Sequence, residues 1–108
     1  MNYSVELSEN FKIESKKLIR RFPSLVNELS ELFDILEKNP KYGTQIGKNI
    51  YKIRIAIASK NKGKSGGGRV LSFVQISGER VLLFAIYNKG DIDNLTDKEI
   101  NELLKNAL

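Results

Sequence analysis

An α+β domain, with two amino-terminal helices and a short carboxyl-terminal helix on an antiparallel sheet of about four strands, is predicted by three features of the 108-residue sequence. Before residue 40, apolar side chains recur at helical spacing in two adjoining blocks. From Ile46 the period changes to two. A capping signature then opens a last amphipathic stretch. The order is strand, helix, helix, three strands, helix, within a single domain spanning 1–108.

Each element has its own signal. In "NYSVELS", Tyr3, Val5 and Leu7 alternate with polar residues, the pattern of a short half-buried strand. Ser8 is suited to cap a helix carrying Phe11, Leu18, Ile19 and Phe22, which must end before Pro23. Leu25, Leu29, Leu32, Phe33 and Leu36 form the stripe of a second helix whose outer face is acidic and which "NP" at 39–40 terminates. Ile53, Ile55 and Ile57 then point one way and Lys52, Arg54, Ala56 and Ala58 the other. "RVLSFVQIS" and "RVLLFAIYNK" read as two strands of a hairpin turning near Gly78 and Glu79, the second apolar enough to be covered on both faces. In "LTDKEI", Thr96 and Glu99 form a capping box, Leu95 and Ile100 a hydrophobic staple, and Ile100, Leu103, Leu104 and Ala107 an apolar face.

Composition limits the chemistry. There is neither cysteine nor histidine, which removes disulfides, the usual zinc ligands and the commonest acid/base side chain near neutral pH. No apolar run approaches the length of a membrane span and no leader pattern is seen, so a cytoplasmic protein without membrane association is expected.

Charge is unevenly placed. Residues 1–40 hold six basic and seven acidic side chains, and residues 70–108 hold four and six. Residues 41–69 hold eight basic side chains and no acidic one, so the net +5 arises in one central segment that calls for a polyanionic partner.

Within that segment, "SKNKGKSGGGRV" (59–70) admits three readings. As a P-loop it fails: Ala58 stands where the first glycine is required, and a strand follows instead of a helix. As a hairpin loop without a role of its own it is soluble and flexible. As a basic clamp it gathers Lys60, Lys62, Lys64 and Arg69 near Arg54 and Lys89, with Gly66, Gly67 and Gly68 allowing positive φ or close backbone approach. Clustered ammonium groups lower one another's pKa, which suits a lysine to act as a base, while an arginine stabilises charge on a phosphorane-like transition state. RNA brings its own 2′-hydroxyl nucleophile. Tyr87 is placed to stack on a base or transfer a proton, or simply to close the edge of the core.

The segments "GTQIGKNIYKIRIAIASKNKGKSGGGRV" and "IYNKGDIDNLTDKEI", with "FPSLVNEL" and "NPKYGT" ahead of them, resemble toxins of the RelE/ParE superfamily, in particular the HigB-like branch of RelE-type mRNA interferases. The resemblance implies an endoribonuclease that needs no cofactor and cleaves mRNA on the ribosome, inhibiting translation. It also implies a cognate antitoxin, a HigA-like helix-turn-helix protein in the branch named. Carried over by motif, Lys60, Lys62 and Lys64 are the basic loop, Arg69 is the arginine, and Lys89 holds the basic position at the end of the last strand. A carboxyl-terminal catalytic tyrosine found in some relatives has no counterpart in "NELLKNAL", which leaves Tyr87 as its substitute. The expected catalytic set is Lys60, Lys62, Lys64, Arg69 and Tyr87, and the expected RNA-binding set is Lys52, Arg54, Lys60, Lys62, Lys64, Arg69 and Lys89. A ParE-like gyrase-directed toxin, or an inactive member that only binds antitoxin, is the alternative, since fold alone does not separate them.

Overall fold

Ser8 separates the first strand, β1 (Ser4–Leu7), from the first helix, α1 (Glu9–Arg21), in a computed structural model that describes residues 2–60 and 66–108. The Ser8 hydroxyl accepts a 3.1 Å hydrogen bond from the Phe11 amide, the N-cap expected from the sequence. α1 stops at Phe22, because the residue before a proline is pushed out of the helical region. α2 (Leu25–Lys38) buries Leu25, Leu29, Leu32 and Leu36 along one stripe and ends at Asn39, ahead of Pro40. No helix among the described residues is long and apolar enough to cross a membrane.

The remaining strands are β2 (Thr44–Gly47), β3 (Ile50–Ile55), β4 (Gly68–Gln75) and β5 (Arg80–Asn88), in the spatial order β1-β5-β4-β3-β2. The α+β class stands, with two corrections to the expected sheet. It has five strands, and it is mixed: β1 runs parallel to β5, Val5 opposite Val81, while the other pairs are antiparallel. β5 is buried on both faces, so its outer backbone groups need a partner, and β1 supplies it. The fifth strand was hidden because β2 turns into β3 through Lys48 and Asn49, without the Asn-Gly or Asp-Gly dipeptide that usually marks a tight hairpin. Asn49 takes the left-handed conformation there, with φ 61°. In the β4–β5 turn it is Glu79, not Gly78, that does so, with φ 50° and its amide donating to the Ile76 carbonyl at 3.1 Å.

Two apolar layers result. On one face, Phe11, Leu25, Leu32 and Leu36 of the helices meet Ile53, Ile55, Val70, Val81, Leu83 and Ile86. Burying each such aliphatic side chain contributes about 2 kcal/mol. The opposite face is covered by α3 (Asp97–Ala107), whose Ile100, Leu103, Leu104 and Ala107 pack with Leu95 on Leu71, Phe84 and Ala85. A bulge beside Leu71 and Ser72 lets the consecutive residues Phe84 and Ala85 both join that cluster. Thr96 and Glu99 form the expected capping box, with reciprocal hydrogen bonds of 3.1 and 3.0 Å. α3 packs over the Leu71, Phe84 and Ala85 part of this face, and Tyr87, itself only 5% exposed, lies beyond that cluster.

Candidate functional site

Strand register brings the cations together. On the face that α3 half covers, Lys52 lies opposite Leu71, and two residues further on Arg54 lies opposite Arg69, which in turn lies opposite Tyr87. Side chains two apart on a strand share a face, so Lys52 and Arg54 are neighbours along β3. Lys89 extends the set just beyond the end of β5. Five of the residues expected from the sequence, Lys52, Arg54, Arg69, Tyr87 and Lys89, therefore line one patch.

Arg69 is only 4% exposed, and its Nη1 donates to the neighbouring Gly68 carbonyl at 3.0 Å. Holding one guanidinium in a half-buried row opposite another is unfavourable by itself and is relieved by an anion laid across them.

The loop after β5 supplies two further polar groups. Lys89 Nζ donates to Asp93 Oδ1 at 2.8 Å and to the Asp93 carbonyl, while Lys52 Nζ donates to Asn94 Oδ1 at 3.0 Å. Sequence reasoning missed Asp93 and Asn94, although an aspartate four residues after Lys89 is a readable pairing signal. The Lys89 hydrogen bond and charge, with Lys52 nearby, hold the Asp93 carboxyl below the usual carboxylate range. Burial pushes the Lys52 ammonium below the ordinary lysine value, and Lys89, Arg69 and Arg54 push it the same way against Asp93. Burial raises the Tyr87 hydroxyl, with Arg69 opposing and Asp93 reinforcing. Lys52, its pKa lowered, and Tyr87, its pKa raised, thus line the same cavity.

Lys60 does not join this patch. Its ammonium donates to Asn88 Oδ1 and, at 2.7 Å, to the Gly66 carbonyl, and it lies 5.5 Å from the centre of the Phe22 ring. Asn88 follows Tyr87 along β5 and so points to the opposite face, where α1 ends. The expected convergence of Lys60 with Arg54 and Arg69 fails for that reason: the chain leaves β3 through a 3-10 turn, Ala58–Lys60, tied to α2. The Ala58 amide donates to Glu28 Oε2 at 2.7 Å, and Ser24 and Ser59 exchange hydrogen bonds of 2.9 Å between amides and hydroxyls. Lys62 and Lys64 lie outside the described residues.

The glycines act by close approach. A Cβ on Gly67 would lie 2.1 Å from the Ile55 carbonyl oxygen, and the Gly67 carbonyl accepts from the Lys89 amide at 3.0 Å. Neither Gly67 nor Gly68 takes the left-handed conformation that the sequence also allowed. Gly67 thereby holds β4 against β3 where Arg69 begins its row.

Two comparisons bear on this arrangement. A family model described as the RelE toxin of the RelE/RelB toxin-antitoxin system matches residues 11–108. A structure of an E. coli toxin RelE mutant in the free state superposes with a TM-score of 0.61 at 18% sequence identity, with 100% of both chains covered. At that identity the likeness is one of fold, and the family rests on the match across almost the whole chain. With the fold and the family model in agreement, the chain belongs to the RelE toxin family of toxin-antitoxin systems.

Proposed function

We propose that this toxin is a ribosome-dependent mRNA endoribonuclease whose reaction face is the row Arg54, Arg69 and Tyr87 with Lys52 and Lys89 beside it. The observation that carries the reading is the pair of opposed arginines, Arg54 exposed and Arg69 buried, next to a lysine whose pKa is lowered. Neutral Lys52 takes the proton of the RNA 2′-hydroxyl as its oxygen attacks the adjacent phosphorus. The new P–O2′ bond forms while the P–O5′ bond breaks, and Tyr87 gives its proton to the departing 5′-oxygen. Arg69 and Arg54 stabilise the extra negative charge between these events, and Lys89 binds a flanking phosphate.

Lys62 and Lys64 keep the phosphate-binding role that the sequence resemblance assigns to them, and Lys60 anchors their segment. Family membership implies a cognate antitoxin. The HigB-like motifs favour a HigA-like helix-turn-helix protein as that partner, and the bacterial cytoplasm as the site of action.

The test is mRNA cleavage on purified programmed ribosomes by the wild type and by Arg69→Ala. Cuts by the wild type and a loss of at least about a hundredfold in the folded variant support the reading. An Arg69→Ala protein that cuts at the wild-type rate overturns the assignment. DNA-damage signalling on induction, without mRNA cuts, would favour a gyrase-directed toxin instead.

A further inference from the structure

A cleft between the β2–β3 hairpin and the start of α3 shares Lys52 and Tyr87 with the cationic row and runs away from it. Its inner chamber, of about 150 Å3, is walled by Leu71, Leu95 and Ile100, and Lys52 and Tyr87 stand at the end nearest the row. A hollow of about 350 Å3 shares Ile46, Asp97 and Ile100 with that chamber and continues outward past Lys48 and Asn101. The two adjoin at these shared residues and together make up the cleft. Ile46, at the seam, is 41% exposed.

The wall chemistry is specific. Aliphatic side chains face one another across the cleft, one carboxylate, Asp97, looks into it, and a lysine stands at each end. Among the described residues no donor pairs with the Asp97 carboxylate. It stands at the first position of α3. A flat ring with a polar edge and a phosphate on its outer side matches all of this: ring faces against the aliphatic walls, edge toward Asp97, the reacting ribose toward Lys52 and Tyr87, and the next phosphate toward Lys48.

We infer that this cleft seats an RNA base next to the bond being cut, and that Asp97 reads the base by accepting a hydrogen bond from its exocyclic amino group. The inference rests on the nuclease reading above. Adenine, cytosine and guanine carry an exocyclic amino group, whereas both exocyclic positions on uracil's edge are carbonyl oxygens, which flank its single ring N–H and repel an approaching carboxylate. One such contact is worth about a tenfold preference against the wrong base. Asp97 acts on the choice of base and takes no part in moving protons.

The experiment uses ribosomes programmed with short messages that differ only in the bases flanking the cut. The wild type is expected to cut about tenfold less when uracil occupies one fixed position. Asp97→Asn, whose amide both donates and accepts, is expected to bring that ratio near one, while Glu102→Gln, a charge change on the same helix outside the cleft, keeps the bias. Wild-type cutting that is indifferent to the base, or a bias that survives in Asp97→Asn, overturns this subsite and leaves the nuclease standing. A wild type that makes no cuts overturns the nuclease reading, and this inference with it.

Discussion

Arg54 and Arg69 stand directly opposite each other on neighbouring antiparallel strands, with Tyr87 next in the same row. Like charges at directly opposed positions weaken a sheet. The arrangement stands at the start of β4, where Gly67 allows close strand approach, and on the function proposed above an RNA phosphate offsets it.

Relieving the repulsion should therefore stabilise the protein while harming its activity. Arg54→Gln is expected to add about 0.5 kcal/mol to the unfolding free energy and to lower RNA cleavage at least tenfold. Urea denaturation and a single-turnover cleavage assay measure the two sides. A variant that loses stability and activity together would show that Arg54 serves the fold and not the anion.

Lys52 sets a pH signature. Its pKa in the fold lies below the ordinary value of 10.5, so between the two values the unfolded chain binds more protons. Stability should then rise with pH across that window, and below it the cost of the charged ammonium is constant. Activity that uses neutral Lys52 should rise with pH on a limb lying below that of a free lysine. Lys52→Arg is expected to abolish the limb in a pH-rate profile, and Lys52→Met to flatten the matching part of the stability curve.

Gly67 is the backbone condition for the site. Gly67→Ala forces a methyl group toward the Ile55 carbonyl, 2.1 Å away, and should cost about 3 kcal/mol as the strands part. Gly90→Ala is the control, because its nearest neighbour would be the Asn88 amide nitrogen at 3.5 Å, an ordinary contact. Comparing the urea midpoints of the two variants checks the difference.

The capping box of α3 fixes the start of the helix that covers the Leu71 and Phe84 face. Thr96→Ala leaves the Glu99 amide without its acceptor and is expected to cost about 1 kcal/mol. Hydrogen exchange should show faster opening in the first turn of α3 than in α1, whose Ser8 cap is unchanged.

Most of the fold was legible because its signals are local. The α2 leucine stripe, the Ser8 cap and the Thr96 box each follow from a few adjacent residues. The direction of β1 was not legible, since four residues of alternating pattern are compatible with either pairing and the choice depends on β5, far along the chain. Four cations of the site, with Tyr87, were also readable, because alternation along β3, β4 and β5 fixed their face. Lys60 was misplaced since its position depends on a 3-10 turn held by Glu28 and Ser24, partners in another element that no spacing rule connects to it. Asp93 and Asn94 were overlooked because attention to positive charge passes over the polar groups that orient it.

The parallel pairing of β1 with β5 has a consequence for the newly made chain. Ser4 finds its partner in Arg80, and Arg69 finds Tyr87, so nearly the whole polypeptide must be synthesised before either contact exists. Until β5 has emerged from the ribosome, the nascent toxin carries its lysines and arginines on an unfinished sheet. The row that sets Arg69 opposite Tyr87 is thus assembled only late in synthesis.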